Sequence, residues 1–564
     1  MRTRLEIIEK FRQQPEVPVL IIGGGVNGIG VFRDLALQGV GVLLVDKGDF
    51  SSGASAGSSH MAHGGLRYLE NAEFRLVKEA LTERNLLLQN APHYVKPLPT
   101  TIPIFSWLSG TLNAPLKFLR LRDRPSERGA LIIKIGLTFY DLFTRKQQSL
   151  PRHKFYSKAK SLEMRPKLNP AIVLTARYYD AWMPYPERIC LEMILDAEAA
   201  NPEAHAVNYL RLVAGNGEVV TLKDEISGET LEIKPKIVIN AAGPWIDFAN
   251  EAMQHPSKYI GGTKGSHIIV DHPELHAATR GHEMFFENSD GRIVLFFPFM
   301  DKVMVGTTDI RVDDPEQARC TDEEIDYLLT MVHKVFPDIQ VTRSNIVFWF
   351  TGVRPLPFSD ASRTGQISRD HITHITEPDD KMKFPVYSLV GGKWTTFRAF
   401  SEQTADLILA RLKKSRQIRT DQLPIGGGKH YPKTDADREA WLNAMLQKVN
   451  LPKERLDQWL DRYGTRAEAI AHYAAAGSDQ SLTHHPNYTQ REIQFLATHE
   501  KIAHLDDLLL RRSLIAMLGQ TTQPLLEELA GILGDCLGWS AEMKTSEVER
   551  TAQILQDKHG VVLK

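Results

Sequence analysis

The segment between positions 19 and 46 constrains the fold of this chain more than any other part of it. It predicts an apolar strand at 19–22, a Gly-x-Gly-x-x-Gly turn, a helix, and a second strand that ends in Asp46. Gly23 permits a tight turn, Gly25 lets the backbone approach a ligand, and Gly28 lets the helix pack closely on the strand. This pattern predicts a βαβ unit at the start of a parallel sheet.

A turn of this kind is typical of dinucleotide binding. The start of the predicted helix, around Asn27, presents backbone N–H groups to phosphates. Asp46 follows Gly28 by 18 residues, where a carboxylate can accept hydrogen bonds from both ribose hydroxyls. NAD and FAD use the same device, so this segment alone does not choose between them. A βα turn without any ligand is the remaining alternative.

Three later features favour FAD. A strand at 237–239 runs into a turn of small residues that contains Gly243, and a strand at 387–390 runs into a Gly-Gly pair that suits the flavin ring or ribityl chain. The loop 51–65 is rich in Gly and Ser, as backbone wrapped around an extended cofactor requires, although a flexible linker is the alternative. The predicted cofactor-binding residues are Gly23, Gly25, Asn27, Gly28, Asp46, Ser58, Ser59, His63, Gly64, Gly243, Gly391 and Gly392.

Two arginines and a lysine predict a binding site for a small anion. Arg67 and Arg354 have small or apolar neighbours in the sequence, where a guanidinium is costly to bury without an anionic partner. Together with Lys393 they would bind a phosphate or a carboxylate. The alternative for each arginine is an internal ion pair with Asp or Glu.

His63 is the candidate proton acceptor, because the ordinary pKa of histidine, about 6.5, lies near neutral pH. The alternative is a histidine that only forms hydrogen bonds within its loop or to the flavin. His267 is a weaker candidate for the same role. The sequence 307–309, Thr-Thr-Asp, predicts either a polar loop over the cofactor or a simple turn.

Patterning along the chain predicts the fold class α/β + α. A Rossmann-type FAD-binding domain would be formed discontinuously and interleaved with an antiparallel-sheet substrate domain, before a helical C-terminal domain. In that domain a helical stripe of Leu510, Leu514, Met517 and Leu518 is predicted to stop at Gly519. The predicted ranges are 17–90, 171–255 and 351–400 for FAD binding, 91–170 and 256–350 for substrate, and 421–564 for the C-terminal domain.

Composition excludes several other classes of protein. A net charge of −1 argues against binding to nucleic acid through bulk charge. Three scattered cysteines without a CxxC pair give no sign of a metal site or a disulfide framework. No stretch reaches the roughly 18–20 apolar residues of a transmembrane helix, and positions 1–16 predict a charged helix with Leu5, Ile8 and Phe11 on one side rather than a secretion signal.

Five ordered motifs resemble a known family. They are His63-Gly64-Gly65-Leu66-Arg67-Tyr68-Leu69-Glu70, Lys264-Gly265-Ser266-His267, Gly306-Thr307-Thr308-Asp309, Gly352-Val353-Arg354-Pro355-Leu356 and Gly391-Gly392-Lys393-Trp394-Thr395-Thr396. In this order they are similar to the FAD-dependent glycerol-3-phosphate dehydrogenases, over about 17–400, with a helical tail like that family's. The chain departs from the family at His60, often Lys there, and at Trp394, often a smaller apolar residue.

The resemblance implies oxidation of sn-glycerol 3-phosphate to dihydroxyacetone phosphate, with hydride transfer to FAD and electrons passed on to a membrane quinone. It also implies that Arg67, Arg354 and Lys393 hold the substrate phosphate, with Tyr68 and Thr395 nearby. His63 would accept the proton of the C2 hydroxyl. Two alternatives stay open: an oxidase that passes electrons to oxygen, and a non-catalytic dinucleotide-binding protein of the same fold.

Membrane contact is predicted at 105–122, which mixes apolar and basic side chains as a segment at an anionic lipid surface does. The alternative is a loop packed on the protein's own core or on a dimer partner, so the sequence leaves a homodimer open. The predicted location of the protein is the cytoplasm, in peripheral association with the cell membrane.

Overall fold

The computed structural model describes residues 2–65, 73–107, 109, 129–144, 150–288, 291–359, 367 and 369–563. The strands are β1 (Glu16–Ile22), β2 (Val42–Val45), β3 (Met61–Ala62), β4 (Lys96–Ile104), β5 (Lys154–Ser157), β6 (Leu174–Trp182), β7 (Ala204–Val207), β8 (Leu210–Asn216), β9 (Val219–Asp224), β10 (Thr230–Asn240), β11 (Thr263–Val270), β12 (Glu283–Glu287), β13 (Ile293–Phe299), β14 (Lys302–Gly306), β15 (Ile310–Arg311), β16 (Ile346–Arg354), β17 (His371–Thr376) and β18 (Val386–Gly391). The helices are α1 (Arg4–Gln13), α2 (Val26–Leu37), α3 (Phe74–Asn90), α4 (Ala130–Thr144), α5 (Lys158–Met164), α6 (Pro186–Ala200), α7 (Ile246–Ala252), α8 (Pro273–Thr279), α9 (Asp322–Val335), α10 (Phe397–Arg411), α11 (Asp435–Leu446), α12 (Lys453–Tyr463), α13 (Ala467–Ala475), α14 (Gln490–His499), α15 (Leu505–Asp507), α16 (Gln523–Leu537) and α17 (Ala541–His559).

The first sheet carries the predicted βαβ unit. Its strand order is β17-β18-β10-β1-β2-β7, and β1 pairs in parallel with both β10 and β2. Ile22 therefore lies opposite Asn240 on one side and Val45 on the other. Because the carboxyl ends of parallel strands meet at one edge, the glycine turn, Asp46 and the turn around Gly243 converge there. The Rossmann-type fold is confirmed.

The second sheet is mixed and follows the order β15-β11-β14-β13-β12-β4-β6-β3, with β16 paired to β11 and β5 paired to β6. Strands β11 to β16 are mainly antiparallel, as predicted. The sheet also takes β3 and β6, which fall within the sequence ranges predicted for FAD binding. Strands of the first sheet and of the second sheet therefore alternate along the chain. The predicted domain ranges stay a proposal.

The C-terminal residues from Asp435 onward are helical, and their core is continuous with one face of the second sheet through Phe297 and Phe348. The predicted stripe from Leu510 to Leu518 is not a regular helix. The chain forms a wide π-type turn at Leu508–Arg512 and ordinary turns after Ser513. The Ser513 hydroxyl donates to the carbonyl of Leu508 at 2.8 Å, which stabilises the wider turn.

The N-terminal helix α1 packs against the first sheet through Ile7, Ile8 and Phe11, which are buried. The prediction that Leu5 shares this face is wrong, since Leu5 is exposed. Thr3 caps the helix, and Arg4 forms an ion pair with Asp224 at 2.7 Å, which fixes the rotation of the helix on the sheet.

The described residues contain no helix long and apolar enough to cross a bilayer, and no group of His, Cys, Asp and Glu side chains arranged to hold a metal ion. Cys190, Cys320 and Cys536 are free thiols. The segment 105–122, predicted to contact a membrane, lies largely outside the described residues.

Candidate active site

A cavity of about 910 Å³ opens at the carboxyl edge of the first sheet. Sequence-predicted residues that line it are Gly23, Gly25, Asn27, Asp46, Ser58, Ser59, His63, Gly243, Arg354, Gly391, Gly392, Lys393 and Thr395. Gly28 and Gly64 do not line it, and Arg67 and Tyr68 lie outside the described residues. The cavity thus joins the motif after β1, the end of β16 and the motif after β18, which are far apart in the sequence.

The glycine turn has no room for side chains. Gly23 has a φ of +107°, and a Cβ there would lie 2.4 Å from the Ala241 carbonyl oxygen. A Cβ on Gly28 would lie 2.0 Å from the carbonyl oxygen of Gly23. Gly28 therefore serves the packing of helix on strand, while Gly23 and Gly25 form the surface of the cavity.

Asp46 has the position of a ribose-binding carboxylate. Its two oxygens accept the backbone N–H groups of Gly24 at 2.6 Å and Gly48 at 2.9 Å. Burial raises the pKa of Asp46 to about 6, against the opposing effect of those two hydrogen bonds. A half-buried carboxylate at this edge is matched by hydroxyl donors on a ligand.

The residues around the helix start fit an extended dinucleotide. Gly25 has no side chain to cap α2, and the Ser55 hydroxyl accepts the first N–H of the helix, that of Val26, at 2.9 Å. The Asn27 side-chain oxygen is buried without a hydrogen-bond partner in the described structure, as is the indole N–H of Trp245. A helix start and buried unsatisfied polar atoms of both kinds, donor and acceptor, fit a ligand that carries phosphates and hydroxyl groups. The site therefore fits FAD, which would lie along the glycine turn and the loop 51–65.

His63 and Lys393 share the far end of the cavity, where the His63 backbone N–H donates to the Thr395 hydroxyl at 3.1 Å. Burial, with the nearby cations Lys393, Arg369 and Arg84, lowers the pKa of His63 to about 3. Burial also lowers the pKa of Lys393 to about 7, against the attraction of Asp180. Lys393, Arg354 and Arg369 are half-buried cations that line this cavity, and they favour a ligand with negative charge.

Arg354 points its guanidinium toward the Thr307–Asp309 loop. It donates to Asp309 at 3.2 Å, to the Thr307 hydroxyl at 3.0 Å and to the Thr308 carbonyl at 3.1 Å. A Cβ at Gly265 would lie 2.2 Å from this guanidinium, so that glycine makes room for it. The internal ion pair weighed as an alternative is present, yet Arg354 still lines the cavity.

His267 is part of the wall rather than a free base. Its Nε2 lies 2.8 Å from the Ser59 hydroxyl, and its ring stacks on Phe350 at 4.8 Å. Burial lowers its pKa well below the ordinary value. His60, one of the departures from the family pattern, lies in the core, where its ring packs edge-on to Phe299.

Sequence reasoning missed two side chains, one that lines the cavity and one that binds the loop beside it. Arg369 lines the cavity and lies 3.7 Å from Asp309, which therefore bridges Arg369 and Arg354. Tyr140 accepts the Gly64 backbone N–H at 2.8 Å and donates to Asp180 at 2.5 Å. Both depend on contacts between distant segments, and no local pattern marks either residue.

The C-terminal helices also reach the cavity, where Arg511 forms part of the wall. Arg511 and Arg512 bind Asp49, in the loop after Asp46, at 2.6 and 2.7 Å. All three charged side chains are buried. The cofactor loop is thus held from both sides, by the first sheet and by the C-terminal domain.

Comparison with known proteins identifies the class of protein to which this chain belongs. Residues 18–407 match the model of the FAD dependent oxidoreductase family, and residues 418–544 match the C-terminal domain of alpha-glycerophosphate oxidase. A glycerol-3-phosphate dehydrogenase of Synechocystis sp. is 33% identical over 580 residues, covering 97% of this chain and 98% of the relative. The aerobic glycerol-3-phosphate dehydrogenase of Escherichia coli is 31% identical, covering 88% and 93%.

The chain therefore belongs to the FAD-dependent oxidoreductases, within the family of FAD-dependent glycerol-3-phosphate dehydrogenases. A solved structure of the glycerol-3-phosphate dehydrogenase from Bacillus halodurans complexed with FAD superposes with a TM-score of 0.75. It covers 98% of this chain and 97% of its own at 23% identity, which supports the fold. FAD is the cofactor, as the glycine turn and the later Gly-Gly motif predict.

Proposed function

We propose that this protein oxidises sn-glycerol 3-phosphate to dihydroxyacetone phosphate. The observation that carries the proposal is the group of three cations, Lys393, Arg354 and Arg369, beside the neutral His63 at one end of the cavity, whose other end holds the glycine turn and Asp46. A small dianion fits this excess of positive charge. The glycerol-3-phosphate dehydrogenases that cover nearly the whole chain support the same substrate.

Arg354, Lys393 and Arg67 are proposed to hold the phosphate, with Tyr68 and Thr395 nearby. Asp309 fixes the orientation of the Arg354 guanidinium. The plane of the guanidinium is therefore oriented before the substrate binds. Lys393 contributes a charge without a fixed direction. Burial is the main cause of the lowered pKa of Lys393, and a dianion bound between these cations would offset the smaller repulsion from Arg369.

His63 is proposed to accept the proton of the C2 hydroxyl, while FAD supplies the two-electron acceptor for the hydride. The pKa of His63 is held low by burial and then by neighbouring cations. The substrate dianion removes the second cause, since it neutralises the cations that repel the imidazolium. Substrate binding would thus raise the basicity of His63 when it is needed.

The direct test is anaerobic addition of glycerol 3-phosphate to the FAD-loaded protein while the flavin absorbance is followed. Bleaching by the sn-3 enantiomer, but not by sn-glycerol 1-phosphate or by glycerol, is the expected result. A flavin that stays oxidised with the sn-3 enantiomer would sink the proposal and leave a dinucleotide-binding protein without this activity.

The electron acceptor is proposed to be a membrane quinone, in a cytoplasmic enzyme bound peripherally to the cell membrane. The proposal rests on the family resemblance and on relatives named as dehydrogenases. Mixing the substrate-reduced protein with a short-chain quinone or with dissolved oxygen separates the alternatives. We expect quinone to restore the absorbance much faster; the reverse order would identify an oxidase.

A further inference from the structure

A second group of positively charged side chains lies on the second sheet, away from the cofactor cavity. We call it the Arg165 site, and its members are Thr101, Lys154, Arg165, Arg177, Arg280 and His282. None of these residues lines the cavity that holds the glycine turn. Cations gathered in one place repel one another, and an anion bound between them removes that repulsion.

Three neighbouring strands form the floor of the Arg165 site. On β6, Arg177 lies directly opposite Thr101 of β4 on one side and Lys154 of β5 on the other. Residues directly opposite in antiparallel strands point to the same face of a sheet. With about 4.8 Å between strands, the three side chains form one row roughly 10 Å long. His282 extends this row, because its Nδ1 lies 3.0 Å from the Thr101 hydroxyl.

Arg165 covers the row from the end of α5. The Ser161 hydroxyl, on α5, lies 2.8 Å from that of Thr175, two residues before Arg177 on β6, so α5 packs on the face that carries the row. Arg165 is 4% exposed. Among the described residues its guanidinium makes one hydrogen bond, a long one of 3.5 Å to the Thr279 carbonyl, and its Nε–H has no partner.

The acidic side chains that flank the site in the sequence bind other partners. Glu163 forms an ion pair with Lys160 at 2.6 Å. Glu274 forms an ion pair with Lys167 at 3.0 Å. Both carboxylates are therefore already paired, and neither neutralises the cations of the Arg165 site.

The electrostatics of the site show the same need for a counter-ion. Burial, and then Arg280 and Arg177, lowers the pKa of Arg165 to about 10, and within the described residues only Tyr156 opposes this shift. Burial, and then Arg165 and Arg177, lowers the pKa of His282 to about 3. A guanidinium buried among cations without a carboxylate is costly, and a bound anion would offset that cost.

The donors of the site match a phosphate group. Guanidinium N–H groups bind phosphate oxygens in pairs, and an ammonium adds a point charge. The guanidinium of Arg177 lies 5.5 Å from the ring of Tyr156 and 5.7 Å from that of Tyr179, two contacts that restrict its orientation. A row roughly 10 Å long accommodates one phosphate group rather than an extended acidic chain.

We propose that the Arg165 site binds phosphate, either as the free ion or as the phosphate group of a small phosphomonoester. Arg177, Arg280 and Lys154 contact the phosphate oxygens, and Arg165 supplies positive charge from the buried side. This binding site is separate from the one that the proposed function gives to the substrate, and it does not rest on that function.

The test is equilibrium dialysis of the FAD-loaded full chain against labelled inorganic phosphate at constant ionic strength. The double variant Arg165→Met with Arg177→Met should lose one bound phosphate per chain, or bind it about tenfold more weakly, because charged hydrogen-bond donors are lost. The matched control is Lys160→Met with Lys167→Met, which removes two positive charges from the same region and breaks only exposed ion pairs. The control should bind phosphate like the wild type.

Arg280→Gln tests the site without a change in the protein core, since Arg280 is exposed. It should weaken the same phosphate several-fold. Equal phosphate binding by the wild type, the double variant and the Arg280 variant would overturn the proposal. An equal loss in the lysine control would also overturn it, because binding would then follow net charge alone.

Two further measurements define the ligand and keep this proposal separate from the proposed function. Displacement of the labelled phosphate by glycerol 2-phosphate would identify a phosphomonoester site, and lack of displacement a site for the free ion. The double variant should keep the wild-type rate of flavin bleaching by glycerol 3-phosphate, because its residues lie outside the cavity. Absence of bleaching in the wild type would refute the proposed function and leave the difference in phosphate binding unchanged.

Discussion

The two ends of the cavity are built in different ways. At the cofactor end, Gly23, Gly28 and Asp46 lie within 24 positions, and their roles follow from backbone geometry and close packing. At the substrate end, His63 and Lys393 come from distant segments, and buried charge determines their chemistry. Substitutions at the first end should therefore change cofactor content and stability, and those at the second should change turnover in a protein that still holds FAD.

The largest effect is expected for His63→Gln. Loss of a positioned proton acceptor should lower kcat by about 10²–10⁴-fold, with FAD content unchanged. Steady-state kinetics and the flavin-to-protein absorbance ratio check this together. The matched control is His60→Gln, in the core outside the cavity. A similar fall in kcat in the His60 variant, with full FAD content, would contradict the role of His63 as the proton acceptor.

Arg354→Met should lower kcat/KM by about 10²-fold, since a charged hydrogen-bond donor to the substrate is worth roughly 1.5–3 kcal/mol. The effect should fall mainly on KM, because the guanidinium holds the phosphate in the ground state as well. Arg343→Met, which breaks only exposed ion pairs, is the control. Unchanged KM in the Arg354 variant would show that the phosphate binds elsewhere.

Gly28→Ala tests the cofactor end. Its Cβ would overlap the Gly23 carbonyl, so the turn must move, at a cost of about 1–3 kcal/mol in the free energy of unfolding. We expect lower FAD content, with nearly normal turnover per bound FAD. Gly531→Ala, in α16 with no atoms within 4 Å, should be neutral or stabilising. Full FAD content and wild-type stability in the Gly28 variant would contradict the packing argument.

The smallest effect concerns pH. The pKa of Lys393 is lowered to about 7 by burial, so its amine is protonated below that pH and neutral above it. Because the protonated form attracts the dianion, KM should rise several-fold between about pH 7 and 8.5. His63, with its pKa near 3, does not titrate in that range. Lys393→Arg should flatten the KM profile, since arginine keeps its charge; an unchanged slope would assign the titration to another group.

Much of the cofactor end could be predicted from the sequence because its requirements are local. A positive φ at Gly23 and the absence of space at Gly28 leave only glycine at those positions. The convergence of Asp46 and Gly243 follows from strand order in a parallel sheet. At the other end, Arg354 and Lys393 line one cavity, as the sequence predicts that they lie together, and their binding of substrate stays a proposal.

The remainder depends on long-range contacts that no local pattern encodes. The bridge from Arg369 through Asp309 to Arg354 requires the register of β11 and β16, which places Thr263 opposite Arg354. The turn at Leu508–Arg512 departs from a helix because the Ser513 hydroxyl binds a backbone carbonyl.

The ion pair between Asp49 and Arg512 has a consequence for the order of events during synthesis. The two residues are 463 positions apart. At roughly 5–20 residues per second, the ribosome reaches Arg512 on the order of half a minute or more after Asp49. Until then Asp49 lacks the arginines that hold it in the finished protein. Firm capture of the cofactor by the nascent chain should therefore wait until Arg512 has been made, although the glycine turn is made several hundred residues earlier.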